Sequence, residues 1–143
     1  MSLDVYLTRR QLEPVTIYAA KEGSVVEVSL EEWQRHFPGT RPHAYRDEER
    51  VYSANITHNL NRMAGEAGIY KELWRPEEVG ITQAKQLIEP LRRARAALLD
   101  NSARFEPFAP ESGWGTYGGL VKFVVDYLAA CEKFPEAMVT VCR

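Results

Sequence analysis

Four side chains able to hydrogen-bond, ligate or move a proton lie within five residues. They are Asn55, Thr57, His58 and Asn59, inside the run YSANITHNLN from Tyr52 to Asn61. An amide offers two donors and an acceptor, and an imidazole can donate, accept, bind a metal or act as a general base. Such a set can grip a base edge, a ribose or an amide. The same residues can instead serve the backbone, with Asn55 and Thr57 in turn and cap hydrogen bonds and His58 beside a carboxylate. Arg62 and Glu66 continue the helical face of His58 at i+4 and i+8. Arg62 and Glu66 are therefore expected to form an ordinary one-turn ion pair. His58 and Glu66 would stand about 12 Å apart along a helix axis, too far to share one metal.

The second set is Gly113-Trp114-Gly115-Thr116-Tyr117. Glycines flanking a tryptophan let backbone approach a neighbour closely. Trp114 and Tyr117 can stack on a planar ligand, a contact worth about 1–3 kcal/mol per base. The alternative is that Trp114 plugs the core. Arg62 or Arg75 is placed to neutralise a phosphate. The run Arg92, Arg93, Arg95 reads as a solvated helix face, with a phosphate clamp as the less common meaning. His36 and His43 read as surface residues.

These residues must be held by scaffold. Leu3 to Thr8 alternates apolar and polar and predicts a half-buried strand. Val15 to Ala20 and Ser24 to Leu30 predict two more, joined by a short turn at Lys21-Glu22-Gly23. Glu31 to Glu49, with Pro38-Gly39 and Pro42, predicts a loop or short helical excursion in which Trp33 and Phe37 share one turn. Arg50 to Ile56 returns to strand character. Leu60, Met63, Ala64 and Ala67 then fall at helical spacing, and Gly68 supplies a stop. YSANITHNLN thus sits at a strand-to-helix junction, where free backbone N–H groups suit anions. Ile69 to Gly80 reads as a connector, and Thr82 opens a helix to about Asp100, kinked or restarted at Pro90. Asn101 to Gly115 reads as a loop. Thr116 caps the best-patterned helix, with Leu120, Phe123, Val124, Tyr127, Leu128 and Cys131 on one face. Ala137 to Cys142 predicts a closing strand that pairs with the first. The expected fold is α+β: a mainly antiparallel sheet of N-terminal strands plus the C-terminal strand, with about three helices on one face. The expected organisation is a single domain over residues 1–143 with an excursion at 31–49.

Charge narrows the function classes. The chain has 18 basic and 20 acidic side chains and a net charge of -2. No broad nucleic-acid binding is expected, because that needs a basic field. Cys131 and Cys142 make neither a disulfide framework nor a zinc spacing. No metal site or cofactor is expected. No leader pattern and no run of about 18 apolar residues is seen, so a cytoplasmic location is expected. No nucleophile elbow, Walker loop, dinucleotide fingerprint or HExxH motif is present, which tilts the expectation away from an enzyme.

The stretches Ser2 to Leu7, Ala54 to Leu60 (ANITHNL), Glu66 to Tyr70 (EAGIY), Trp74 to Glu78, Gly113 to Tyr117 (GWGTY) and Leu128 to Cys142 together resemble an uncharacterised family of small proteins from bacteriophages and bacteria. The resemblance covers the start of the chain and residues from about Tyr52 to Arg143, and omits Thr8 to Arg50. It implies a phage or prophage origin, hence host cytoplasm, and a compact accessory protein. The leading expectation is a small-molecule-binding protein that sequesters a nucleotide-derived signal used in antiphage defence. Its contacts are expected from Asn55, Thr57, His58, Asn59, Arg62, Trp114, Gly115 and Tyr117. One alternative is a small hydrolase or transferase using His58, oriented by Glu66 or Asp126. Another is a protein-binding inhibitor of a host enzyme, using the excursion at 31–49. A homo-oligomer through a sheet edge or the aromatic loops is compatible with each.

Overall fold

The computed structural model describes residues 1–10, 16–42 and 48–143. Val15, His43 and part of the charged run at 46–50 lie outside the described residues. In chain order the elements are β1 (Ser2–Arg10), β2 (Ile17–Lys21), β3 (Ser24–Val28), α1 (Leu30–His36), β4 (Glu48–Thr57), α2 (Asn61–Glu66), α3 (Tyr70–Trp74), α4 (Lys85–Asp100), α5 (Ser102–Phe105), α6 (Tyr117–Lys133) and β5 (Met138–Cys142). Tight 3-10 turns at His58–Leu60, Pro76–Val79 and Glu106–Phe108 join several of them. The chain forms two compact units, one of Met1–Arg9 with Arg50–Arg143 and one of Arg10–Glu49.

In the larger unit β1 is central in a three-stranded sheet of order β4-β1-β5. Its period-2 pattern works as expected: Leu3, Val5 and Leu7 are fully buried, while Asp4, Tyr6 and Thr8 on the other face are half-buried. The closing strand β5 pairs antiparallel with β1, setting Val5 opposite Val141 and Leu7 opposite Val139. On the other side, Ser2 meets His58, Asp4 meets Asn55 and Tyr6 meets Arg50. These contacts run in opposite senses along the two strands, so β4 is also antiparallel to β1. The buried face is shared with α4, through Leu87, Leu91, Ala94 and Leu98, and with α6, through Leu120, Phe123, Val124, Tyr127, Leu128 and Cys131. Thr116 caps α6, its Oγ1 accepting from Gly119 N at 3.0 Å.

The fold class is α+β with antiparallel sheets, but two details differ from expectation. Six α-helices occur among the described residues instead of about three. The extra ones are α1, α3 and α5, of 7, 5 and 4 residues. Helices that short show no apolar period. They form because neighbours bury Leu73 and Trp74 in α3 and Phe105 in α5, and because Ser29 Oγ accepts from Glu32 N at the start of α1. Pro90 does not divide α4, which runs as one element. The N-terminal strands also do not all join one sheet. In the smaller unit β2 and β3 form a separate two-stranded hairpin. Its turn uses Glu22 and Gly23, both at positive φ (50° and 79°), the twist that two-residue hairpin loops need. Ile17 and Val28 are buried on one face, while Tyr18 and Val25 are exposed on the other. Trp33 and Phe37 meet as their spacing predicts, with ring centroids 4.6 Å apart. No helix among the described residues is long and apolar enough to cross a membrane.

Candidate functional site

The strand-to-helix junction is tied down before it can meet any ligand. Asn55, exposed near the end of β4, donates from Nδ2 to Asp4 Oδ1 at 2.7 Å. Thr57 caps the 3-10 turn, its Oγ1 accepting from Asn59 N at 3.3 Å. His58 is held by both ring nitrogens. The indole Nε1 of buried Trp74 lies 3.1 Å from His58 Nδ1, and an indole N–H only donates. Nδ1 must therefore be the bare acceptor and Nε2 carry the proton, which it donates to Ser2 O at 2.8 Å. The His58 backbone N–H also bonds Met1 O at 3.3 Å. Neither nitrogen is left for a metal or for proton abstraction. Glu66 and Asp126 do not orient it: Glu66 bonds Arg104, and Asp126 pairs with Lys122.

The two sequence motifs, more than fifty residues apart, pack on each other. Asn59 donates from Nδ2 to Trp114 O at 3.2 Å. Gly115, at φ 108°, lies so close to the turn that a Cβ there would stand 2.8 Å from Thr57 Cγ2 and 2.9 Å from Leu60 Cγ. The glycine is required by this close approach. Trp114 is not a core plug, since 72% of it is exposed. Tyr117 serves structure: its hydroxyl donates to Leu98 O at 2.6 Å and its ring stacks on Phe105.

Beside this contact lies an open groove of about 460 Å³. One wall is His58, Asn59, Asn61 and Arg62; the other is the segment 107–111 after the last 3-10 turn. His58 contributes ring surface rather than a free nitrogen. Asn59 keeps its Oδ1 available as an acceptor. Arg62 shows the main departure from the sequence reading. Its expected helical partner Glu66 is taken by Arg104, which reaches Glu66 Oε1 with Nε at 2.9 Å and Nη2 at 2.6 Å. Among the described residues, Arg62 has no carboxylate partner and is exposed at the groove. The predicted set thus divides. His58, Asn59 and Arg62 line the groove; Asn55, Thr57, Gly115 and Tyr117 build the frame around it; Trp114 stands exposed outside its lining. Arg75 pairs with Glu78, and Arg92 with Glu89 and Glu132.

Sequence reasoning missed Asn61, Phe108 and Glu111. The signal available was a lone aromatic set between prolines and bounded by acids, Glu106-Pro107-Phe108-Ala109-Pro110-Glu111. Among the described residues no group of three His, Cys, Asp or Glu side chains is placed to hold a metal ion. No family model, curated protein or solved structure matches the chain.

Proposed function

We propose that this chain is a binding protein for a small anionic, nucleotide-derived molecule, held in the groove between Arg62 and the 107–111 segment. The observation that carries the reading is the Arg62 guanidinium, which is uncompensated among the described residues. Glu66, its natural neighbour, is engaged by Arg104, so Arg62 faces the groove with its charge free for a ligand. A guanidinium suits a phosphate because its planar fork donates two parallel hydrogen bonds. The groove adds amide groups at Asn59 and Asn61 and an apolar wall at Pro107, Phe108 and Pro110. That mixture of few polar groups and apolar surface is what small-ligand sites use, and the volume falls in the usual range. Taken with the resemblance to phage proteins, the role that follows is sequestration of a nucleotide signal of the host's antiphage defence. A catalytic role for His58 has no free nitrogen to work with.

The test incubates the purified protein with lysate from phage-infected cells, reisolates it, and identifies released small molecules by mass spectrometry. Arg62→Ala is the control, because Arg62 is exposed and supports no other side chain among the described residues. Wild type is expected to release a phosphorylated nucleotide-like mass. Losing one charge-assisted hydrogen bond costs about 1.5–3 kcal/mol, so the variant should bind roughly ten- to a hundredfold more weakly. No retained nucleotide, or equal retention by Arg62→Ala, overturns the proposal.

A further inference from the structure

We infer that the groove reads a guanine-type base edge through Glu111, an inference that rests on the binding reading above. Glu111 lines the same groove as Arg62, and among the described residues its carboxylate has no basic partner. Two opposite charges that share a groove without pairing to each other leave room for a ligand with matching ends: an anion for Arg62 and donors for Glu111. The same groove is lined by Pro107, half-buried Phe108 and half-buried Pro110, apolar groups against which a ring can pack.

The carboxylate narrows the ring. It only accepts, and its two oxygens are matched by two adjacent N–H donors. Guanine presents such a pair, N1–H beside the N2 amino group. Adenine sets its amino group beside the bare N1, whose lone pair would face the carboxylate. Uracil and thymine place one N–H between two carbonyls. Cytosine sets its amino group beside bare N3. Of the common bases, guanine alone satisfies both oxygens of Glu111. Glu111 is exposed, so a base lacking one of these donors loses only the net worth of one hydrogen bond to a charged acceptor.

The experiment measures binding of GMP, IMP and AMP to the full chain by calorimetry, with Glu111→Gln and Arg62→Ala alongside. IMP keeps N1–H and lacks the N2 amino group. The expected order is GMP tightest, IMP weaker on the order of tenfold, and AMP weaker again. Glu111→Gln should weaken GMP by roughly tenfold or more and flatten the order. Arg62→Ala should weaken all three alike. If wild type binds AMP as well as GMP, or if Glu111→Gln leaves GMP unchanged, the guanine inference is wrong while nucleotide binding stands. If wild type binds none of the three, the guanine inference falls, and the lysate experiment alone decides the reading beneath it.

Discussion

Replacing Gly115 by alanine should unfold the contact between the two motifs without touching any charged group. Gly115 sits at φ 108°, outside the backbone range comfortable for an L-residue. Forcing that conformation costs about 1–2 kcal/mol. The added methyl would lie 2.8 Å from Thr57 Cγ2 and 2.9 Å from Leu60 Cγ, and Leu60 is only 1% exposed, so it has little room to retreat. Overpacking of this kind adds about 1–3 kcal/mol. The sum, about 2–5 kcal/mol, is a large share of the 5–15 kcal/mol typical of a domain. Gly113→Ala is the matched control. It too has positive φ, 72°, but its methyl would meet nothing within 4 Å, so it should lose only the backbone part. Urea unfolding followed by tryptophan fluorescence measures both. Thr57→Ser removes the clashing methyl and keeps the capping oxygen, so the double variant should recover part of the loss. Equal destabilisation by Gly113→Ala and Gly115→Ala would refute the argument, because the motif contact would then contribute nothing.

His58→Ala should strand the indole N–H of Trp74, which is 2% exposed, and cost about 1–3 kcal/mol in urea unfolding; weaker ligand binding in that variant reports lost fold. Arg104→Ala should release Glu66 to Arg62 and weaken nucleotide binding in calorimetry, although Arg104 does not line the groove and its own ion pair is worth little to stability. Burial, then the charges of Asp126 and Cys131, pushes the Tyr52 hydroxyl from 10.0 up to about 12, and burial, then Glu132, pushes the Cys131 thiol from 9.0 up to about 12. Raised folded values mean the stabilisation is whole below the unfolded values near 9 and 10 and is lost as pH climbs toward 12. Stability should therefore fall on that alkaline limb, as urea unfolding repeated at rising pH measures; a stability that stays level across it would contradict the reasoning. A thiol reagent should modify exposed Cys142 at once and buried Cys131 only after urea is added.

The parts of the fold that could be read from the chain are those whose signal is local. β1 shows a period of two, and α4 and α6 show a period of 3.6. Each buries the face its pattern names, because a segment of that length repeats the pattern often enough to be seen; β5 half-buries only Val139 and Val141. α3 and α5 do not repeat it at all. Their buried residues Leu73, Trp74 and Phe105 are placed by contacts from elsewhere in the chain. The hairpin turn at Glu22-Gly23 was legible, yet its strands look the same in sequence whether or not they join β1.

The site divides along the same line. ANITHNL and GWGTY were recognisable as polar-aromatic segments, and Asn59 and Gly115 do bring them together. Roles within them were not readable, because each depends on a partner distant in sequence. His58 looks like a catalytic base until Trp74 and Ser2 are seen to occupy both its nitrogens. Arg62 looks like half of a helical ion pair until Arg104, 38 residues beyond Glu66, takes the other half. The i,i+4 pair that helix geometry offers is worth only about 0.2–0.5 kcal/mol, so a competing guanidinium with two donors on the same oxygen readily displaces it. In that displacement a residue of ordinary surface type becomes the one uncompensated cation lining the groove among the described residues, and the function proposed for this chain depends on it.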